Sequence, residues 1–246
     1  MIRAACHIHS DWSHDGRWTL PALASEFESR EYRVLMLTDH DLGFSESRRL
    51  AHREACARAS SGKMLLVPGI EYSDAQNLVH ILVWGPVPFL GEGLPTLELL
   101  KGVKAANGVA VMAHPARRQA WKTFDPVWIE YLLGMEVWNR KTDGWAPSSV
   151  AQRLMEGTSL LPFVSMDFHA INQMFPLSME MDIASDINGE TVLDCLRRRA
   201  CRPLFFSEPA RDVINGWPQL VLKPAERVRR SGAQVYRWLK KRGRNA

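Results

Sequence analysis

Short runs in which every residue is apolar punctuate this chain, among them VLML at 34–37, MLLV at 64–67 and VAVM at 109–112. Runs without apolar–polar alternation are the mark of strands covered on both faces. The longer segments between them mix charge with apolar residues at helical spacing. The pattern predicts strands near 2–8, 33–38, 64–71, 78–84, 109–113, 135–138, 161–166 and 203–206. Helices are expected near 20–31, 45–60, 96–107, 125–133, 147–157 and 189–200, with a Pro/Gly-rich loop at 85–95. A last helix is expected over 224–242, opened by Pro224 in its first turn. The alternation amounts to about seven β/α units and favours a closed (βα) barrel over an open sheet.

The chemistry gathers where the apolar runs end. Of eight histidines, six stand there: His7, His9, His40, His80, His114 and His169. Asp15, Asp39, Glu71 and Asp167 lie beside or among them. Neutral imidazole and carboxylate are what divalent Zn, Mn or Fe accept, and one carboxylate can bridge two ions. Water held between such ions is a nucleophile near neutral pH. Strand residues two apart face the same way, so His7 pairs with His9 and Asp167 with His169. Chelators at strand exits are what a barrel of parallel strands carries at its active rim. Each piece alone has a plain structural explanation; their joint placement points to a multinuclear metal centre. The other two histidines read differently. His52 is expected on a solvated helix face, and His14 in a loop within reach of the site. Cys6 is expected to pack on the face opposite His7.

Composition narrows the setting. At 246 residues, with 46% hydrophobic and 24% charged residues, the chain is sized for one domain. No apolar stretch approaches membrane-spanning length, and the first strand begins at once, so no cleaved leader is expected. Four cysteines without a CxxC pair suit a reducing compartment, and a cytoplasmic location is expected. The net charge of +4 is uneven, since residues 223–246 hold nine Lys or Arg and one Glu. We therefore divide the chain into a mildly acidic barrel, 1–222, and a basic C-terminal helix or tail, 223–246. That tail interleaves Val228, Val235, Tyr236, Trp238 and Leu239 with its cations. It is a candidate for docking on the barrel, or for contact with nucleic acid or an anionic membrane.

The segments HIHSDWSHDG, LTDHD, GIEYS, VHILVWG, AHPAR and SMDFH, in this order, resemble those of the PHP (polymerase and histidinol phosphatase) superfamily. The resemblance covers roughly residues 5–170 and implies a distorted (βα)7 TIM-like barrel. It also implies two or three divalent ions and metal-dependent phosphoester hydrolysis by a metal-bridging hydroxide. On this pattern His7, His9, Glu71 and Asp167 hold one ion, and Glu71, His80 and His114 a second. Asp15, His40 and His169 hold a third, while Asp39 orients an imidazole. The loop after His9 departs from the pattern by one extra residue in SHDG, and 52 residues separate His114 from Asp167 where nucleotide-cleaving relatives carry more.

Glu71 and Asp167 are thus the expected catalytic carboxylates. Arg117, directly after AHP, is the expected phosphate clamp, with Arg118, Asn139, Arg140 and Lys141 as further rim candidates. The expected substrate is a small-molecule or nucleotide phosphoester. The competing expectation is a non-catalytic module, stabilised by metal, that binds nucleic acid or a partner protein through its tail.

Overall fold

The computed structural model describes residues 1–242 except residue 185, and the side chains of 211, 212, 234, 235 and 237–242 are outside the description. The tail positions Val235, Trp238 and Leu239 therefore lie outside the described side chains.

The chain forms a mixed α/β domain with two six-stranded sheets. The first sheet is built on β1 (Ile2–Ile8), β2 (Val34–Leu37) and, after the two-residue β3 (Asp39–His40), β4 (Leu65–Val67). In the second, β3 is followed by β5 (Gly69–Ser73), β6 (His80–Trp84), β7 (Val109–Met112), β8 (Gly134–Asn139) and β9 (Leu161–Ser165). β10 (Leu177–Met181), β11 (Cys201–Phe205) and β12 (Glu208–Pro209) return to the first sheet, whose order is β12-β11-β10-β1-β2-β4.

Hydrogen bonding gives the sheets mixed rather than uniformly parallel pairing. β1–β2, β2–β4, β3–β5, β7–β8 and β8–β9 are parallel, but β5–β6, β6–β7, β1–β10, β10–β11 and β11–β12 are antiparallel. No single closed ring of strands joins the two sheets among the described residues. At two points a single residue carries the chain from one sheet to the other. Thr38 separates β2 from β3, and Pro68, which has no N–H for a ladder, separates β4 from β5 and splits the strand expected over 64–71. Gly69 is required at the second crossing, because a Cβ there would collide with the Trp84 ring. That indole donates to Leu37 O at 2.9 Å and fills the corner.

Three helices sit between the early strands: α1 (Leu20–Glu28), α2 (Glu46–Ala59) and α3 (Thr96–Ala105). Thr19 and Ser45 cap the first two by accepting from Ala22 N and Arg48 N. The helix expected at 125–133 is a short 3-10 turn, Pro126–Glu130. Later come α4 (Arg140–Asp143), α5 (Ser149–Met155), α6 (Gly189–Arg197), α7 (Ala210–Asn215) and α8 (Pro218–Arg242). α8 starts six residues before Pro224, which lies inside it. His52 is buried in α2 rather than solvated, because its ring reaches Asp39 at 3.0 Å. Among the described residues no helix is long and apolar enough to cross a membrane.

Candidate metal centre

β1 and β9 deliver the two X-x-His segments to one place. Phe168 N donates to His7 O at 3.0 Å and His9 N to Phe168 O at 2.9 Å, so HIH and DFH pair across the gap between the sheets. Simple pleat alternation does not explain their shared direction. The β1–β2 register slips between Cys6 and Ile8, and His7 sits at φ 61°. His114 (φ 22°) and Asp167 (φ 50°) also occupy positive φ, which non-glycine residues adopt at a cost. Three chelator candidates are thus turned into the cavity by strained backbone. Cys6, on the other side of the bulge, contacts Met36 Sδ, as expected of a packing residue.

Five of the other eight candidate ligands contact Glu71, and the remaining three adjoin those five. Glu71 Oε2 lies 3.2 Å from His7 Nε2, from His9 Nε2 and from His40 Nδ1. Its Oε1 lies 2.7 Å from His80 Nδ1 and 3.1 Å from His114 Nε2. Asp167 faces the same histidines, with Oδ1 3.7 Å from His7 Nε2 and Oδ2 3.8 Å from His114 Nε2. Asp15 closes the outer side, 2.8 Å from His169 Nε2 and 3.4 Å from His40 Nε2. Four overlapping groups have donor atoms within 4.8 Å of one another: His9, Asp15, His40 and His169; His7, His114 and Asp167; His7, His9 and Glu71; His40, Glu71 and His80.

The donor chemistry fits metal ions. The buried His7 Nε2 and His9 Nε2, though 3.2 Å from Glu71 Oε2, make no well-aligned hydrogen bond, and Asp15 Oδ1 makes none either, a costly state unless something else fills the space between them. Burial pushes the His9 imidazole down to about 4, leaving a neutral ring with a free lone pair. Burial also acts on His7, but Asp167, Glu71 and Glu136 outweigh it and hold the ring well above its usual range. Burial opposes ionisation of Glu71, yet His7 and His80 keep it well below the carboxylate range. Burial likewise opposes Asp167, which His7 and Lys141 keep low. For Asp15 burial is outweighed by hydrogen bonds from His169 and His40. The cavity therefore favours positive charge beside its carboxylates, which divalent cations would supply.

A second layer orients the rings. Glu136 is fully buried, accepts from His7 Nδ1 at 2.8 Å and from His114 N at 2.7 Å, and takes a further bond from Asn139 Nδ2 at 2.8 Å. This residue escaped the motif reading; its signal was a lone carboxylate inside the apolar strand GMEVWN. Asp39 accepts from Ser10 N, Ser10 Oγ and Ser13 Oγ at 2.7, 2.8 and 2.9 Å, and Ser13 Oγ in turn lies 3.3 Å from His9 Nδ1. Its link to a chelating ring thus runs through a serine.

The centre opens into a cleft of about 550 Å³ lined by His14, Asn77, Arg117, Lys141 and Thr142 among others. Arg117 Nη1 reaches His80 Nε2 and Asn77 O, both at 3.0 Å. Arg118 turns to Asn77 O at 3.1 Å instead. Lys141 Nζ lies 3.2 Å from Asp167 Oδ1 and 3.1 Å from His169 Nε2. Arg140 faces away, its guanidinium over the Phe175 ring.

No family model and no curated protein matches the chain. Solved structures do. PsfC from Pseudomonas syringae aligns with TM-score 0.62 and 19% identity, over 83% of this chain and 92% of that one. A protein from Bifidobacterium adolescentis described as a metal-dependent phosphoesterase aligns with TM-score 0.50 and 18% identity, over 68% and 87%. An amidohydrolase from Chromobacterium violaceum, with bound sulfate and no metal, gives TM-score 0.51 and 16% identity over 69% and 88%. This chain shares their fold. The likenesses agree with the resemblance drawn from the motifs.

Proposed function

We propose that the protein is a PHP-type phosphoesterase that hydrolyses a small-molecule or nucleotide phosphoester with two or three divalent ions. The observation that carries the reading is the cluster of donors around Glu71 and Asp167, with the buried His7 Nε2 and His9 Nε2 aimed inward and held by no well-aligned hydrogen bond. His7, His9, Glu71 and Asp167 would hold one ion, Glu71, His80 and His114 a second, and Asp15, His40 and His169 a third. Bound Zn, Mn or Fe would supply Lewis acidity and activate water for attack on phosphorus.

The chain's own contribution is orientation and charge. Glu136 fixes the His7 ring by holding its Nδ1 hydrogen, which leaves Nε2 as the coordinating atom. Arg117 and Lys141 place two cations at the cleft, on different elements, where phosphoryl oxygens would enter. The distorted α/β barrel inferred from the motifs remains the best account of how both sheets present their chelators to one cavity.

The test is hydrolysis of p-nitrophenyl phosphate and bis-p-nitrophenyl phosphate by protein loaded separately with Mn, Zn or Fe, with Asp167→Asn as control. Turnover that disappears in the variant supports the reading and ranks monoester against diester. Stoichiometric metal binding without turnover on phosphoesters would favour the non-catalytic module.

A further inference from the structure

Among its described side chains, α8 turns Glu226 and Leu222 toward the body of the protein. Glu226, buried at 5% exposure, accepts from Trp145 N at 3.0 Å and pairs with Arg229 and Arg230. Arg230 donates to Thr142 O and Asp143 O at 3.1 and 2.8 Å. Leu222, one turn before Glu226, packs against the main core. Gly144 makes the close approach possible, since at φ 80° a Cβ would collide with the Glu226 carboxylate.

The opposite side is apolar and open. Trp217, just before the helix, and Leu220, Val221 and Val228 within it are 75, 78, 60 and 73% exposed. Val221, Pro224 and Val228 recur at spacings of three and four, so with Leu220 they form one stripe. Lys223 and Arg227 lie on the flank of this stripe, on the same turns. Over Pro218–Arg242 the sequence carries eight Lys or Arg against one Glu.

We infer that this outer face of α8 seats the protein on an anionic lipid surface. The occupant has to meet both features, an apolar stripe and the cationic flank of Lys223 and Arg227. A bilayer with acidic headgroups does so, taking the stripe at the acyl boundary and the cations at the phosphates. A second copy of the helix would set two strongly cationic segments side by side, which charge opposes. A nucleic acid would satisfy the cations but offers its phosphates, not an apolar layer, to the stripe. The inference is independent of the metal centre, because none of the stripe residues touches it.

The experiment is co-sedimentation of the full chain with phosphatidylcholine vesicles, with and without about 30 mol% phosphatidylglycerol. Metal content and circular dichroism verify the fold of each variant. The protein should pellet with the anionic vesicles and at least about tenfold less with neutral ones, and rising salt should release it. Leu220→Ser/Val228→Ser and Lys223→Gln/Arg227→Gln should each lower anionic binding severalfold while metal content and phosphoester turnover stay unchanged. Absence of vesicle binding would overturn the inference. So would full binding by the stripe variant, or a dimer in light scattering that the stripe variant converts to monomer. Retention of a DNA duplex, lost in that same variant, with no vesicle binding, would also overturn it.

Discussion

Glu71 stands within 3.2 Å of five imidazoles. Glu71→Gln keeps the shape and removes the charge. Elemental analysis of that variant should show loss of bound metal, with turnover falling in parallel by about a hundredfold or more. Full activity would refute the bridging role. Asp143 tests a different property. Burial pushes its carboxyl up to about 8, while the unfolded chain has an ordinary carboxylate. Between about pH 4 and 8 the folded state therefore binds more protons than the unfolded one, and stability falls as pH rises. Asp143→Asn retains an oxygen for the Asn139 N–H at 2.8 Å and cannot ionise. Its melting temperature should exceed wild type at pH 8, with the difference vanishing near pH 4.

At the scale of elements, strand exits were legible because apolar runs ending in a chelator announce themselves. VLML before Thr38-Asp39-His40 and VAVM before Ala113-His114 are examples. What local pattern could not express was pairing partner and fine register. Nothing in HILVW says that β6 runs antiparallel to both its neighbours, and the bulge at His7 exists only against β2. β10 escaped notice because LSMEM reads as an ordinary polar-apolar mixture. His52, set among Arg53 and Glu54, looked solvated, although it turns to Asp39 from α2. Glu136 was hidden for the converse reason, as a charge whose partners come from distant strands. The junction of α4 and α8 carries its own prediction. Gly144→Ala should force the Glu226 carboxylate away and loosen the helix, seen as faster hydrogen exchange over 218–233 with that of β1 unchanged.

For the whole molecule, the proposed metals would tie together residues from 7 to 169, contributed by both sheets. Ligands that bind only the folded chain stabilise it by about 2.7 kcal/mol at a concentration a hundredfold above Kd. For a chain of this size that is a shift of roughly 5–10 °C. Chelation should lower the melting temperature by that order, measured by calorimetry, and added Mn or Zn should restore it. A melting curve indifferent to chelator would argue that the donor ring holds no structural ion.

The attachment of α8 also has a mechanical side. Arg230 and Glu226 grip residues 142, 143 and 145, and Lys141, one residue before that grip, extends its ammonium to Asp167 and His169. Helix and cleft therefore share α4 as a common support. The anchorage of the C-terminal helix and one wall of the candidate metal centre are thus made by consecutive residues of the same short segment, 141–145.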